Sequence, residues 1–184
     1  LSIALSTYDE FQSPVGNFKV DKEANEFLHN FRKEFIIYND HFHDKITSIE
    51  EQLPFIASSI GTETKIVPII LGEPNTKFTI MLAKALQELI EAGKKEGKKY
   101  LIVATTNLSE NCKYEQAQKQ DELFAKYLTD MKADQFSEQL ALGTIQAYGG
   151  GGVTVLLRLA ELMSLPPISI LTMYNTADNS DEKL

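Results

Sequence analysis

Thr64-Lys65-Ile66-Val67-Pro68-Ile69-Ile70-Leu71-Gly72 is the stretch that decides the fold class. It is β-branched and apolar on both alternating faces, and Gly72 closes it, the pattern of a buried strand. Pro68 cannot donate to a ladder, which predicts an edge position or a bulge. Directly after it, Asn75 or Thr76 is placed to cap a helix that carries Phe78, Leu82, Ala85, Leu89 and Ile90 at helical spacing. Gly93 is its expected stop.

The same alternation extends outward. Residues 2–5, 100–105 and 168–174 read as further strands, and Ile36-Ile37-Tyr38 as a brief apolar run. Asp21 is placed to cap a helix over residues 22–33, with Ala24, Phe27, Leu28 and Phe31 on one face. Residues 13–17 form a turn cluster. Ser48 with Glu51 three residues on fits a capping box, and Pro54 marks a kink or a second helix start. Helices are expected with Ala117, Phe124, Leu128 and Met131 on one face, around residues 136–142, and over 153–163 behind a glycine run. Strands separated by helices predict an α/β layered domain, with a mostly parallel central sheet flanked by helices. One domain over residues 1–174 and a mobile polar tail over 175–184 complete the expectation.

Composition bounds the function. The 184 residues carry 18 Lys+Arg against 26 Asp+Glu, a net charge of −8, which disfavours nucleic acid as a partner. The run Lys94-Lys95-Glu96-Gly97-Lys98-Lys99 has no interleaved aromatics and reads as a solvated turn. No apolar run approaches the ~20 residues of a membrane-spanning helix. One cysteine excludes an internal disulfide and a multi-cysteine zinc site, and the cytoplasm is the expected compartment.

Four motifs bear on chemistry. His41-Phe42-His43 places two rings on one face if the segment is extended, so both reach one metal, with Asp40 and Asp44 beside them. A polar loop with two exposed histidines is the commoner outcome. Residues 149–152, four glycines before a helix, leave amides open to an anion, but neither a Walker loop nor a dinucleotide fingerprint is present. Close backbone packing is the simpler reading. Cys112 lies in a polar loop with no evident base and reads as an incidental thiol. The polar residues 105–110 follow a strand, where sites commonly lie.

Taken together, these segments resemble the Memo family, whose fold is similar to that of class III extradiol dioxygenases. Ser13-Pro14-Val15-Gly16-Asn17-Phe18-Lys19-Val20-Asp21 looks like its TPLG…VD segment. Ser48-Ile49-Glu50-Glu51-Gln52-Leu53-Pro54-Phe55 looks like the SIE-x-x-LPF part of its EHS motif, Ile66 to Gly72 its IVPILVG strand, and Gly149 to Leu157 the start of its Gly-rich helix. The departures fall on the chemistry. Thr47 stands where the family has a metal-site histidine. Asn107 and Glu110 replace the aspartate and histidine of SSD-x-x-H, and Tyr148 replaces the cysteine of the CG pair. His43 matches a histidine often found a few residues ahead of the EHS motif.

The resemblance implies a chain like the C-terminal two-thirds of such a protein, beginning at Leu1 rather than Met. With the ligand positions changed, it implies a binding or interaction protein with no catalytic residues, no cofactor and no metal. The expected vestigial pocket is lined by Thr47, Glu50, Asn107, Glu110 and Tyr148, with His41 and His43 as the candidates should a metal be found. The implied partner is a protein or peptide, or a second copy through sheet edges, not nucleic acid or membrane. Phosphotyrosine-peptide binding by the family's human member points to the same peptide class. The alternative is a metal-dependent redox enzyme or extradiol dioxygenase-like oxidoreductase, with its site rebuilt from His41, His43, Asp44 and Glu110 or completed N-terminally.

Overall fold

The described residues of the computed structural model are 3–72, 76–109 and 113–174, and they form two compact units. One takes residues 3–72 and 88–101, the other 76–87, 102–109 and 113–174.

The first unit is organised on β1 (Ile3–Leu5), whose three side chains are all inaccessible to solvent or nearly so. β1 pairs in parallel with β4 (Ile36–Tyr38) and antiparallel with β5 (Ile69–Leu71), giving the order β4-β1-β5. The short strands in between, β2 (Glu10–Ser13) and β3 (Gly16–Lys19), form a hairpin around the Ser13–Asn17 turn cluster. Phe11, Phe18, Val20 and Leu53 close a core over that hairpin, with Ile49, Ile56 and Ile66 against it.

Local chemistry accounts for the helices. α1 (Lys22–Phe31) starts at Asp21, whose carboxylate accepts from the Ala24 amide at 3.1 Å, as the capping pattern predicts. A four-residue helix, α2 (Asp40–His43), follows β4. A 3₁₀ turn (Glu50–Gln52) then leads into α3 (Leu53–Ile60). Pro54 sits in the first turn of α3, where its missing N–H costs nothing, and Gly61 at φ 87° ends the helix. The expected capping box at Ser48 is replaced by a neighbouring arrangement: the Thr47 carbonyl accepts from the Glu51 amide, and the Thr47 hydroxyl donates to the Glu51 carboxylate at 2.9 Å.

α4 (Thr76–Lys95) runs straight through Gly93, which is therefore not its stop. A Cβ at Gly93 would lie 2.4 Å from the Tyr100 ring, so the glycine is there to let that ring lie on the helix. In the second unit, α5 (Tyr114–Thr129), α6 (Ala133–Ala141) and α7 (Gly150–Leu162) enclose Phe124, Phe136, Ile145, Val153 and Leu157. The Phe124 and Phe136 rings meet edge to face at 5.4 Å.

The chain is thus mixed α/β, but its sheet is small and mixed in direction rather than mostly parallel. The expected strand over residues 64–71 shrinks to β5 plus one bridge, Val20 to Ile66, because Pro68 interrupts the ladder between them. β5 is an edge strand, as Pro68 requires. Residues 101–105 and 168–174 carry no ladder with any of the described residues. Their apolar pattern specifies an extended run and a covered face, while pairing needs a partner edge that no local pattern supplies. The expected tail over 175–184 lies outside the described residues.

Phe136→Ala should lower stability by about 3–5 kcal/mol through lost burial and the cavity left behind. Leu142→Ala, at a position 68% exposed, should stay within about 0.5 kcal/mol. Urea unfolding midpoints of the two variants check the placement of this core.

Candidate functional site

The sequence-selected residues fall into two groups, one in each compact unit. The first lies where α2 and the 3₁₀ turn meet the end of β1. Because residues 40–43 are helical, His41 and His43 are two apart on a helix and do not share a face. The paired-ring alternative is therefore not supported, and the commoner reading of two exposed histidines holds only for His41. His41 is exposed; His43 is only 3% exposed, with its ring edge-on to Phe11 at 5.9 Å.

Neither ring nitrogen of His43 makes a well-formed hydrogen bond, and Glu50 Oε2 is likewise buried without one. Burial holds the His43 pKa below the ordinary histidine value. The Ala4 backbone and the carboxylates of Asp40, Glu50 and Asp44 oppose this without overturning it. The carboxylates have other work. Asp40 accepts from the Ser6 hydroxyl at 2.9 Å, from the Thr7 amide at 2.8 Å and from the Thr7 hydroxyl. Burial raises the Asp40 pKa, but these hydrogen bonds outweigh it and leave the carboxyl below its usual range. Asp44 accepts from the Tyr8 hydroxyl at 2.6 Å, which pushes the phenol up to about 12.

The second group is at the start of α7. Asn107 and Tyr148 form an antiparallel bridge, with N–H to carbonyl distances of 2.9 and 2.7 Å, and the Thr106 hydroxyl donates to the Tyr148 carbonyl at 2.7 Å. The Tyr148 side chain is 79% exposed. Gly149 caps α7 at φ 87°, and a Cβ there would come within 3.0 Å of the Thr105 carbonyl. A Cβ on Gly150 would come within 2.9 Å of Leu140. Gly149 therefore admits a close approach of backbone, and Gly150 the Leu140 side chain. Glu110 and Cys112 lie outside the described residues.

These positions do not suit the metal that the family resemblance implies. Thr47 offers a hydroxyl already given to Glu51, and His43 is enclosed. Among the described residues no three His, Cys, Asp or Glu side chains converge on a point. Sequence reasoning passed over His29, the third histidine, because it sits on the polar stripe of an amphipathic helix. Its ring lies 4.9 Å from Tyr38 and meets the Ile36 carbonyl at 2.7 Å.

A hairpin, an SIE-x-x-LPF turn into α3 and a Gly-rich helix packed on an extended segment define a protein of the Memo type. The Memo-like protein family model matches residues 1–182, and the chain belongs to that family. Its relatives include a MEMO1 family protein of Aeropyrum pernix, 26% identical over 185 residues, covering 100% of this chain and 64% of the relative. Another is a MEMO1 family protein of Thermoplasma volcanium, 24% identical, covering 94% of this chain and 61% of the relative. A third, from Methanobrevibacter smithii, is 29% identical and covers 94% of this chain and 60% of the relative. The chain thus spans about three-fifths of the length of these curated relatives. No helix among the described residues is long and apolar enough to cross a membrane.

The buried His43 makes a pH prediction. With its folded pKa below the unfolded value near 6.5, the unfolded chain binds the extra proton first. Stability should therefore hold above about pH 6.5 and fall as pH drops from there toward the folded pKa. His43→Leu should flatten that part of the profile, read from urea midpoints between pH 7.5 and about pH 5.

Proposed function

We propose that this Memo-like chain is a non-catalytic binding protein with a degenerate metal site and a protein or peptide partner. The observation that supports it most is Thr47, which stands at the family's metal-histidine position and directs its hydroxyl to Glu51. The enclosure of His43 points the same way. An oxidoreductase with a rebuilt site would need His41 and His43 to act together, and the helical backbone of α2 sets them on different faces.

Two stretches support the binding side of this reading. Along residues 101–105 exposure alternates with period two, and Val103 is 55% exposed. In residues 168–174, Leu171 is 95% and Tyr174 70% exposed. Extended, apolar and unpaired backbone is the template on which an added strand docks.

Elemental analysis of the purified protein should find less than stoichiometric iron, copper and zinc. A full equivalent of any of them overturns the degenerate-site reading. Oxygen uptake with added Fe(II) and a catechol panel should stay at background for this chain and for a longer form that includes it. Turnover in either favours the enzyme reading. Association of copies through the unpaired strips predicts a scattering mass that rises above 20.6 kDa with concentration. Val103→Lys and Leu171→Lys should return it toward the monomer, and a mass fixed at the monomer value removes self-association.

A further inference from the structure

A groove of about 420 Å³ opens in the first unit, at the shared carboxyl edge of the parallel strands β1 and β4. Ligand sites of α/β sheets gather at that edge. Thr47 and Glu50 do not line the groove. Most of its wall is one stripe of α1 and its continuation: Lys22, Glu26, His29, Asn30 and Lys33, with Tyr38 of β4 opposite. The spacing of four, three and one from Lys22 to Asn30 is that of a single helical face, and Lys33 follows in the turn after α1.

The groove's charges are not spent on each other. Lys22 is committed: its ammonium donates to the Thr7 carbonyl and to the Tyr8 carbonyl at 2.6 Å, and pairs with Asp9 at 3.1 Å. Lys33 makes no ion pair or hydrogen bond with the described residues, and neither does Glu26. One cation and one anion thus face the same groove unpaired. They are seven residues apart, Glu26 on α1 and Lys33 in the turn beyond its last residue, Phe31.

His29 adds a fixed acceptor. A carbonyl only accepts, so the 2.7 Å contact with the Ile36 oxygen places the proton on Nδ1. In that tautomer the lone pair is on Nε2, which has no hydrogen-bond partner among the described residues. Two acceptors, Glu26 and His29 Nε2, suit an ammonium, while Lys33 and the Asn30 amide suit a carboxylate.

We propose that the groove between α1 and the carboxyl end of β4 binds a small zwitterion, its ammonium held by Glu26 and His29 Nε2 and its carboxylate by Lys33. The separation of Glu26 from Lys33 favours a ligand whose charges stand several bonds apart, so an ω-amino acid fits better than an α-amino acid. The site is independent of the family's metal position and of the non-catalytic reading above.

The test is a titration of the full chain followed through the His29 ring signals by NMR. The probes are glycine, β-alanine and 4-aminobutyrate, with acetate, ethylammonium and inorganic phosphate as single-charge controls. The expected result is saturable movement of the His29 signals, tightest for 4-aminobutyrate and at least tenfold weaker for every control. Glu26→Gln and Lys33→Gln, both exposed positions that should leave the fold intact by circular dichroism, should each weaken 4-aminobutyrate at least tenfold. Equal binding of acetate or phosphate overturns the zwitterion assignment. So does indifference to either substitution, or silence of His29 to all three amino acids.

Discussion

Burial of β1 is the constraint on which the first unit depends. Ile3, Ala4 and Leu5 are at or near zero exposure, and a strand buried in this way needs ladder partners on both edges. β4 supplies one in parallel and β5 the other in antiparallel. Where β1 ends, the next groups are still buried and still polar. The Ser6 carbonyl accepts from the Asn25 amide at 3.0 Å, and the Ser6 hydroxyl donates to Asp40. An unmade bond at such a site costs about 1–3 kcal/mol, so α1 and α2 are held at the strand's end by obligation. That fixes the polar stripe of α1 over the sheet edge, and with it the groove.

Much of the local structure was legible in the sequence because it is local chemistry. Asp21 capped α1, Pro54 opened α3, Gly61 closed it, and residues 13–17 turned the hairpin. The limits appeared where the outcome depends on distant chain. Residues 101–105 carry the composition of a central strand, and their alternating exposure shows the extended shape that composition implies. A ladder, however, is a property of two segments. Gly93 misled for a related reason: a glycine near the end of a helical pattern reads as a stop, but here the Tyr100 side chain requires the missing Cβ.

The site was legible in kind but not in arrangement. The loss of the family histidine at Thr47 is written in one letter, and what Thr47 does instead, bonding Glu51, follows from its place one residue before a turn. The paired-ring alternative for His41 and His43 needed an extended segment of period two, whereas residues 40–43 adopt a helix after Asn39 and bury His43. His29 escaped notice because its partner is a backbone carbonyl of β4, seven residues away and invisible to any side-chain motif.

In the second unit, the packing behind the exposed strips matters as much as their exposure. Arg158 of α7 is 7% exposed; its Nε donates to the Thr79 hydroxyl at 3.1 Å and it pairs with Asp134 at 2.8 Å. A guanidinium taken out of water recovers its desolvation cost only with several partners in good geometry, so those contacts pin α7 to the starts of α4 and α6. Gly149, at the start of α7, admits the backbone of residues 105–106, and a Cβ there would come within 3.0 Å of the Thr105 carbonyl. Residues 105–106 are therefore backed by the start of α7. Gly149 thus acts through packing: its missing Cβ lets the Thr105 carbonyl lie against the start of the Gly-rich helix, and any side chain there would meet that backbone first.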